Sequence, residues 1–294
     1  MKTTESVTNS INRQPSTACS KEYAVKRLIR STIITAFGLL AALSVSQMAH
    51  AQDNLDRSFV APAVFQAAGP TAASIQGTVD AFRAALGDPN NGNNPGPLSS
   101  GRREINWDGG DPNIMDTTPP VTPFNVFQNT RGAQFTTAGT GLSQATPLGL
   151  SVLFNNPTYA TIFTTFSPSR LFTPVGSNVT NGLFFVPGTN GVSLAAVDGF
   201  GAVFTDVDLP DGGKPPRAST LLECFDRGGN RIFRSVVPAS PGDGSLSFIG
   251  IKFSDARIAS VRITSGAIPG VNDDRQHDIV VMDDFIFGEP QPLQ

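Results

Sequence analysis

From residue 133 onward, short apolar runs alternate with clusters of Gly, Pro and Asn. The runs "AQFTT", "LSVLF", "TIFTTF", "LFFVP" and "GAVFTDV" are too short for helices and rich in β-branched and aromatic residues, which predicts strands. Alternation is cleanest in "RIASVRIT", where Ala259, Val261 and Ile263 share one face and Ser260, Arg262 and Thr264 share the other. "LLECFDRGGNRIFRSVV" reads as a hairpin turning at Gly228 and Gly229, "LSFIGIKF" adds a strand, and "IVVMDDFIF" closes the series. Many short strands without βαβ alternation predict a mainly β chain, an antiparallel β-sandwich of the jelly-roll kind.

One segment follows the helical period instead. In "TAASIQGTVDAFRAALG" Ile75, Val79, Phe82 and Leu86 form a stripe, Thr71 is placed to cap the start and Gly87 to stop the end. Such a stripe needs a surface to bury against, and the side or end of the sandwich supplies one. The stretch 88–101 is a turn-rich connector. The expected organisation is a signal peptide over 1–51, a flexible arm over 52–71, a β-sandwich domain with its leading helix over 72–290, and a tail over 291–294.

The leader changes the charge of what remains. Lys26, Arg27 and Arg30 precede the apolar run "STIITAFGLLAALSV" and the small residues Ala49 and Ala51, the pattern of a secretory signal cleaved before Gln52. The run is shorter than the roughly 20 residues of a membrane helix, so no stable span is expected after cleavage; an uncleaved anchor is the alternative. Export to the periplasm, the medium or the cell surface follows. The full chain has a net charge of −3, and without the leader 15 basic and 22 acidic residues remain, a net −7. That balance argues against nucleic acid as a partner. Cys19 leaves with the leader, so Cys224 has no disulfide partner and reads as a buried, inert thiol.

Catalytic signatures are sparse. His277 is the one histidine after the leader, no G-x-S-x-G elbow occurs, and the remaining glutamates are Glu104, Glu223 and Glu289. A non-enzymatic role is therefore expected. The acids suit a structural calcium better, with Glu104, Asp108 and Asp111 in "REINWDGGDPN" and Asp206, Asp208 and Asp211 in "FTDVDLPDGG". Asp283 and Asp284 pose a separate question. On a regular strand Asp283 joins Val281 and Phe285, while Asp284 joins Met282 and Ile286, so the two acids face opposite layers unless a bulge intervenes. An arginine such as Arg262 or Arg257, backbone N–H groups or a cation would neutralise the one on an apolar face. The candidate metal ligands are accordingly Glu104, Asp206, Asp208, Asp283 and Asp284. Trp107, the sole tryptophan, and its neighbour Asp108 are the candidate ligand-binding pair, a sugar-stacking ring with a polar anchor. "NVT" at 178–180 matches an N-glycosylation acceptor.

"GFGAVFTDVD", "LLECFDRGGNRIF", "LSFIGIKFSDARIASVRIT" and "VVMDDFIFG", in that order, resemble exported bacterial proteins with a galactose-binding-like jelly roll. The resemblance covers about residues 190–290. It implies a β-sandwich that binds a glycan or cell-surface polymer, often with a structural calcium. A structural envelope or matrix component without a small ligand, and a secreted hydrolase, are the alternatives.

Overall fold

The computed structural model describes residues 61–109, 117–210, 212, 219–271 and 276–293; the leader, Asp111 and Asp211 lie outside these. The chain runs β1 (Ala63–Gly69), α1 (Ala72–Leu86), β2 (Arg102–Ile105), α2 (Gln128–Arg131), β3 (Ala133–Thr136) and β4 (Gly141–Ala145). It continues with α3 (Pro147–Leu153), α4 (Tyr159–Ile162), β5 (Leu171–Val175), β6 (Val179–Phe184), β7 (Ala195–Ala196) and β8 (Gly199–Thr205). The last elements are β9 (Leu221–Phe225), β10 (Arg231–Val236), β11 (Leu246–Lys252), β12 (Ser260–Thr264), β13 (Val281–Gly288) and β14 (Gln291–Pro292).

These strands build an antiparallel β-sandwich. One sheet has seven strands in the order β1-β11-β8-β13-β5-β4, with β2 also on β13; the other has five, β10-β9-β12-β6-β3. Period-2 alternation sends Phe200, Ala202, Phe204, Ile249, Phe285 and Phe287 from the first sheet, and Leu222, Cys224, Val261 and Ile263 from the second, into one shared core. Burial drives the Cys224 thiol well above its ordinary range, leaving it protonated and inert.

The outer face of the seven-stranded sheet is covered. Helix α1 lays Ile75, Val79, Phe82 and Leu86 against Val203, Leu246, Phe248 and Ile286, the stripe that the sequence predicts. Phe82 seats over Gly201 and Gly250, register partners on β8 and β11; a β-carbon on either would come within 2.7–2.8 Å of the ring. Gly87, at φ 101°, ends the helix by donating its N–H to the Arg83 carbonyl. Thr71 stands at the N-cap, but its hydroxyl meets the Ser74 hydroxyl at 3.0 Å rather than an amide. Beyond α1, α3 and α4 cover the same sheet with Leu150, Tyr159 and Ile162 over Leu171 and Val281. No helix of the described residues is long and apolar enough to cross a membrane.

Four sequence expectations change. Residues 63–69 are not part of a flexible arm: they form β1, paired along its length with β11. Residues 291–292 are not a bare tail, since β14 pairs with β7. "LSVLF" and "TIFTTF" are not strands: the first lies in α3 and the turn after it, and the second begins at the end of α4 and continues as irregular chain. Pro147 at the first turn and Thr146, whose hydroxyl accepts the Gly149 N–H at 3.0 Å, nucleate α3 and override the β-propensity of its residues. "NVT" is folded in, with the Asn178 amide donating to the Gly266 carbonyl at 2.9 Å.

Candidate functional site

Along β13 the neighbour on one side changes. β5 meets it at Met282, and β2 meets it from Phe285 to Gly288. On its other side, pairing with β8 slips by one residue between Met282 and Phe285. That slip is a bulge spanning the two aspartates, and it alters the faces. Val281 packs with the outer, helix-side cluster and Met282 with the core; Phe285 again points to the core and Ile286 outward. The intervening Asp283 and Asp284 therefore both lie on the outer side. Expected on opposite layers, the two acids share one because the bulge supplies the extra half-step.

The bulge is pinned from both directions. Trp107, buried at the end of β2 with φ 62°, donates its indole N–H to the Asp283 carbonyl at 3.0 Å. Its ring stacks on Phe172 at 3.7 Å and meets Phe285 edge-on at 4.9 Å. A ring with no exposed surface cannot serve as a sugar platform, so Trp107 is a core anchor and not a ligand contact. Asp108 is likewise engaged: its Oδ1 accepts the backbone N–H groups of Ser169 and Arg170. Burial raises the Asp108 carboxyl above its ordinary value, while those two amides pull the other way.

Outside the bulge, Asp283 Oδ2 accepts the N–H groups of Phe166 at 2.6 Å and Ser167 at 3.3 Å. Asp284 takes the Ser167 hydroxyl on one oxygen and Arg83 Nη2 at 3.5 Å on the other. Arg83 reaches across from α1 to bond Glu104 through Nε at 3.1 Å and Nη2 at 2.9 Å, and Arg102 Nε holds the second Glu104 oxygen at 2.7 Å. Burial pushes both aspartates up. For Asp283 the neighbouring Asp284 adds to the rise; for Asp284 the Ser167 hydroxyl and Arg83 oppose it. The arginine expected at this pair is Arg83, not Arg262 or Arg257. Its place on α1, two hundred residues upstream, is why spacing could not reveal it.

Asp206 and Asp208 belong to a different place, the loop that leaves β8. Asp208 Oδ1 accepts the Gly242 N–H at 2.7 Å, and the Asp208 N–H bonds Asp278 Oδ1 at 3.0 Å. Burial lifts Asp278 to about 7, with Asp208 nearby adding to the shift. The five predicted calcium ligands thus do not gather as one set. Among the described residues no three acids, histidines or cysteines are placed to share a metal. The guanidinium groups of Arg83 and Arg102 face Glu104, and that of Arg83 also faces Asp284.

Two further features were missed in the sequence. Buried Arg103 forks onto Glu289 with two bonds of 2.7 Å and spends Nη1 on the carbonyls of Gly92, Asn94 and Thr130. That pair borders a recess of about 320 Å³ between the end of α1 and residues 99–101, lined also by Asp198, Ser100 and Gln291. Its other carboxylate, Asp198, is bound to Lys252 Nζ at 2.7 Å.

The second feature is the outer face of the five-stranded sheet. Register aligns Arg234, Glu223, Arg262, Asn181 and Thr136 in one row across β10, β9, β12, β6 and β3. Beside it Arg231, Phe225, Ser260, Leu183 and Gln134 form a second row. Arg231, Arg234 and Arg262 are exposed, Leu183 is exposed and Phe225 half-buried. Among the described residues, α1, α3 and α4 bury their apolar side chains against the seven-stranded sheet. Comparison with family models, with curated proteins and with solved structures found no match.

Proposed function

We propose that the chain is an exported, non-enzymatic binding module for a glycan or cell-surface polymer, built on a galactose-binding-like jelly roll. The observation that carries this reading is the inequality of the two outer faces. Helices α1, α3 and α4 cover the seven-stranded sheet, whereas the five-stranded sheet presents two registered rows of polar, cationic and apolar side chains to solvent. A face mixing hydrogen-bonding groups with apolar patches suits an extended sugar chain, which offers hydroxyls along its edges and C–H surface on its rings. The signal-like leader supports export.

Catalysis has little support by comparison. The acid pair that most resembles a proton-transfer device, Asp283 and Asp284, is nearly sealed from solvent and committed to loop 166–167 and Arg83. A structural calcium has no part in the proposal, because the predicted ligands lie in separate places and amides and arginines already engage Glu104, Asp208, Asp283 and Asp284.

Retention of the purified chain on insoluble polysaccharides and isolated cell envelopes tests the proposal. Retention without release of reducing sugar or acid is the expected result. Turnover of any of these polymers would overturn the non-enzymatic part, and failure to bind all of them would overturn the binding role.

A further inference from the structure

We infer that the outer face of the five-stranded sheet, where Arg231, Arg234 and Arg262 are exposed among the described residues, takes an acidic polysaccharide, a chain of uronate or sulfated sugars, through these three arginines. This deepens the binding proposal above and rests on it.

Three guanidinium groups stand on this face, and Glu223 is the carboxylate that register places among them. Arg231 Nη1 bonds Glu223 Oε1 at 2.8 Å, and Arg234 Nε lies 3.7 Å from the same oxygen. Both arginine side chains remain about half exposed, at 54% and 50%. Arg262 sits directly opposite Glu223 in the register, yet its Nε bonds the Asn181 side-chain oxygen at 3.2 Å and its guanidinium lies 5.9 Å from the Phe225 ring centre. It pairs with no carboxylate among the described residues. The face therefore carries an excess of positive charge on a chain whose net charge is −3. The adjoining turn adds one charge of each sign, Arg227 and Asp226.

Geometry narrows the partner. A guanidinium presents a planar fork of donors that fits carboxylate and sulfate oxygens two at a time. Arg234 and Arg262 are two strands apart, which places their backbones about 10 Å from each other at the usual strand spacing. A fixed row of this kind is met by a polymer that repeats its acid groups, whereas one small anion engages a single arginine. Phe225 and Leu183, in the next row, supply apolar surface for sugar rings. Nucleic acid is the competing polyanion. It is gathered by an extensive positive field, and an acidic chain with one local cationic patch does not generate one.

The test is binding of the full chain to polygalacturonate, a sulfated glycan, neutral dextran and duplex DNA at low and high salt, with the double variant R234A/R262A alongside. Both positions are exposed, and an unchanged melting temperature establishes that the variant folds. The inference expects binding to the acidic glycans, weakening as salt screens the arginines. It also expects a loss of about tenfold in the double variant, the combined weight of two exposed ionic contacts. R257A, which removes a charge already paired with Asp255, keeps wild-type affinity. Equal, salt-indifferent binding of dextran would overturn the inference while leaving the binding role intact. Binding to none of the glycans would overturn the inference, and the binding role falls with it only if insoluble polysaccharides and cell envelopes also fail to retain the chain; tighter binding to DNA than to polygalacturonate would overturn the choice of partner.

Discussion

The two outer faces of the sandwich each carry an arginine–carboxylate group, and the groups differ in burial and in balance. On the helix-covered sheet, Arg83 and Arg102 face four acids, Glu104, Asp284, Asp80 and Asp88, and the guanidiniums are largely withdrawn from water. On the five-stranded sheet, exposed Arg231 and Arg234 face Glu223, and exposed Arg262 pairs with no carboxylate among the described residues. Buried charges must be matched within the fold or cost several kcal/mol; exposed ones need no internal partner, because water serves them. The first group therefore behaves as a joint that fastens α1 and loop 164–170 to β13. The second holds charge the fold does not need.

Substitutions can break this contrast, and the largest effect belongs to the anchor under the joint. Trp107→Ala removes the ring stacked on Phe172 and the donor to the bulge carbonyl, and urea unfolding should show a loss of about 3–5 kcal/mol. Arg83→Met strips Glu104 and Asp284 of a shared partner and should cost about 1.5–3 kcal/mol in the same measurement. Asp283→Ala orphans the N–H groups of Phe166 and Ser167, at about 1–3 kcal/mol. Asp283→Asn keeps an acceptor oxygen there and should cost less. Smallest of all, R234A/R262A should shift stability by no more than about 0.5 kcal/mol.

Acidity gives an independent check on the buried carboxyls. Asp278, raised to about 7 by burial, and Asp283, raised by burial and by Asp284, bind protons more tightly in the folded chain than in the unfolded one. Their contribution is thus fullest in acid and fades as pH rises from the ordinary aspartate range, about 4, toward 7. Thermal melts between these limits should show stability falling with pH, and Asp278→Asn should flatten the fall. A rise across that window would mean that both carboxyls are ionised in the fold.

Local pattern revealed what is local. Alternation in "RIASVRIT" and the stripe from Ile75 to Leu86 disclosed the sandwich and its helix because each face is written in consecutive residues. The bulge at Asp283 was not legible in the same way. It follows from β5 and β2 meeting β13 at different points, a matter of distant strands. Trp107 looked like a binding ring because a lone tryptophan beside an acid carries no sign of its burial. The arginine row was hidden for a related reason: Asn181, Glu223, Arg234 and Arg262 become neighbours through register alone.

The most direct single measurement is migration of R234A/R262A and wild type through a native gel containing polygalacturonate. The contrast between a structural and a solvent-facing arginine group predicts that the wild type is retarded and the folded double variant far less so. Equal retardation of the two would contradict it.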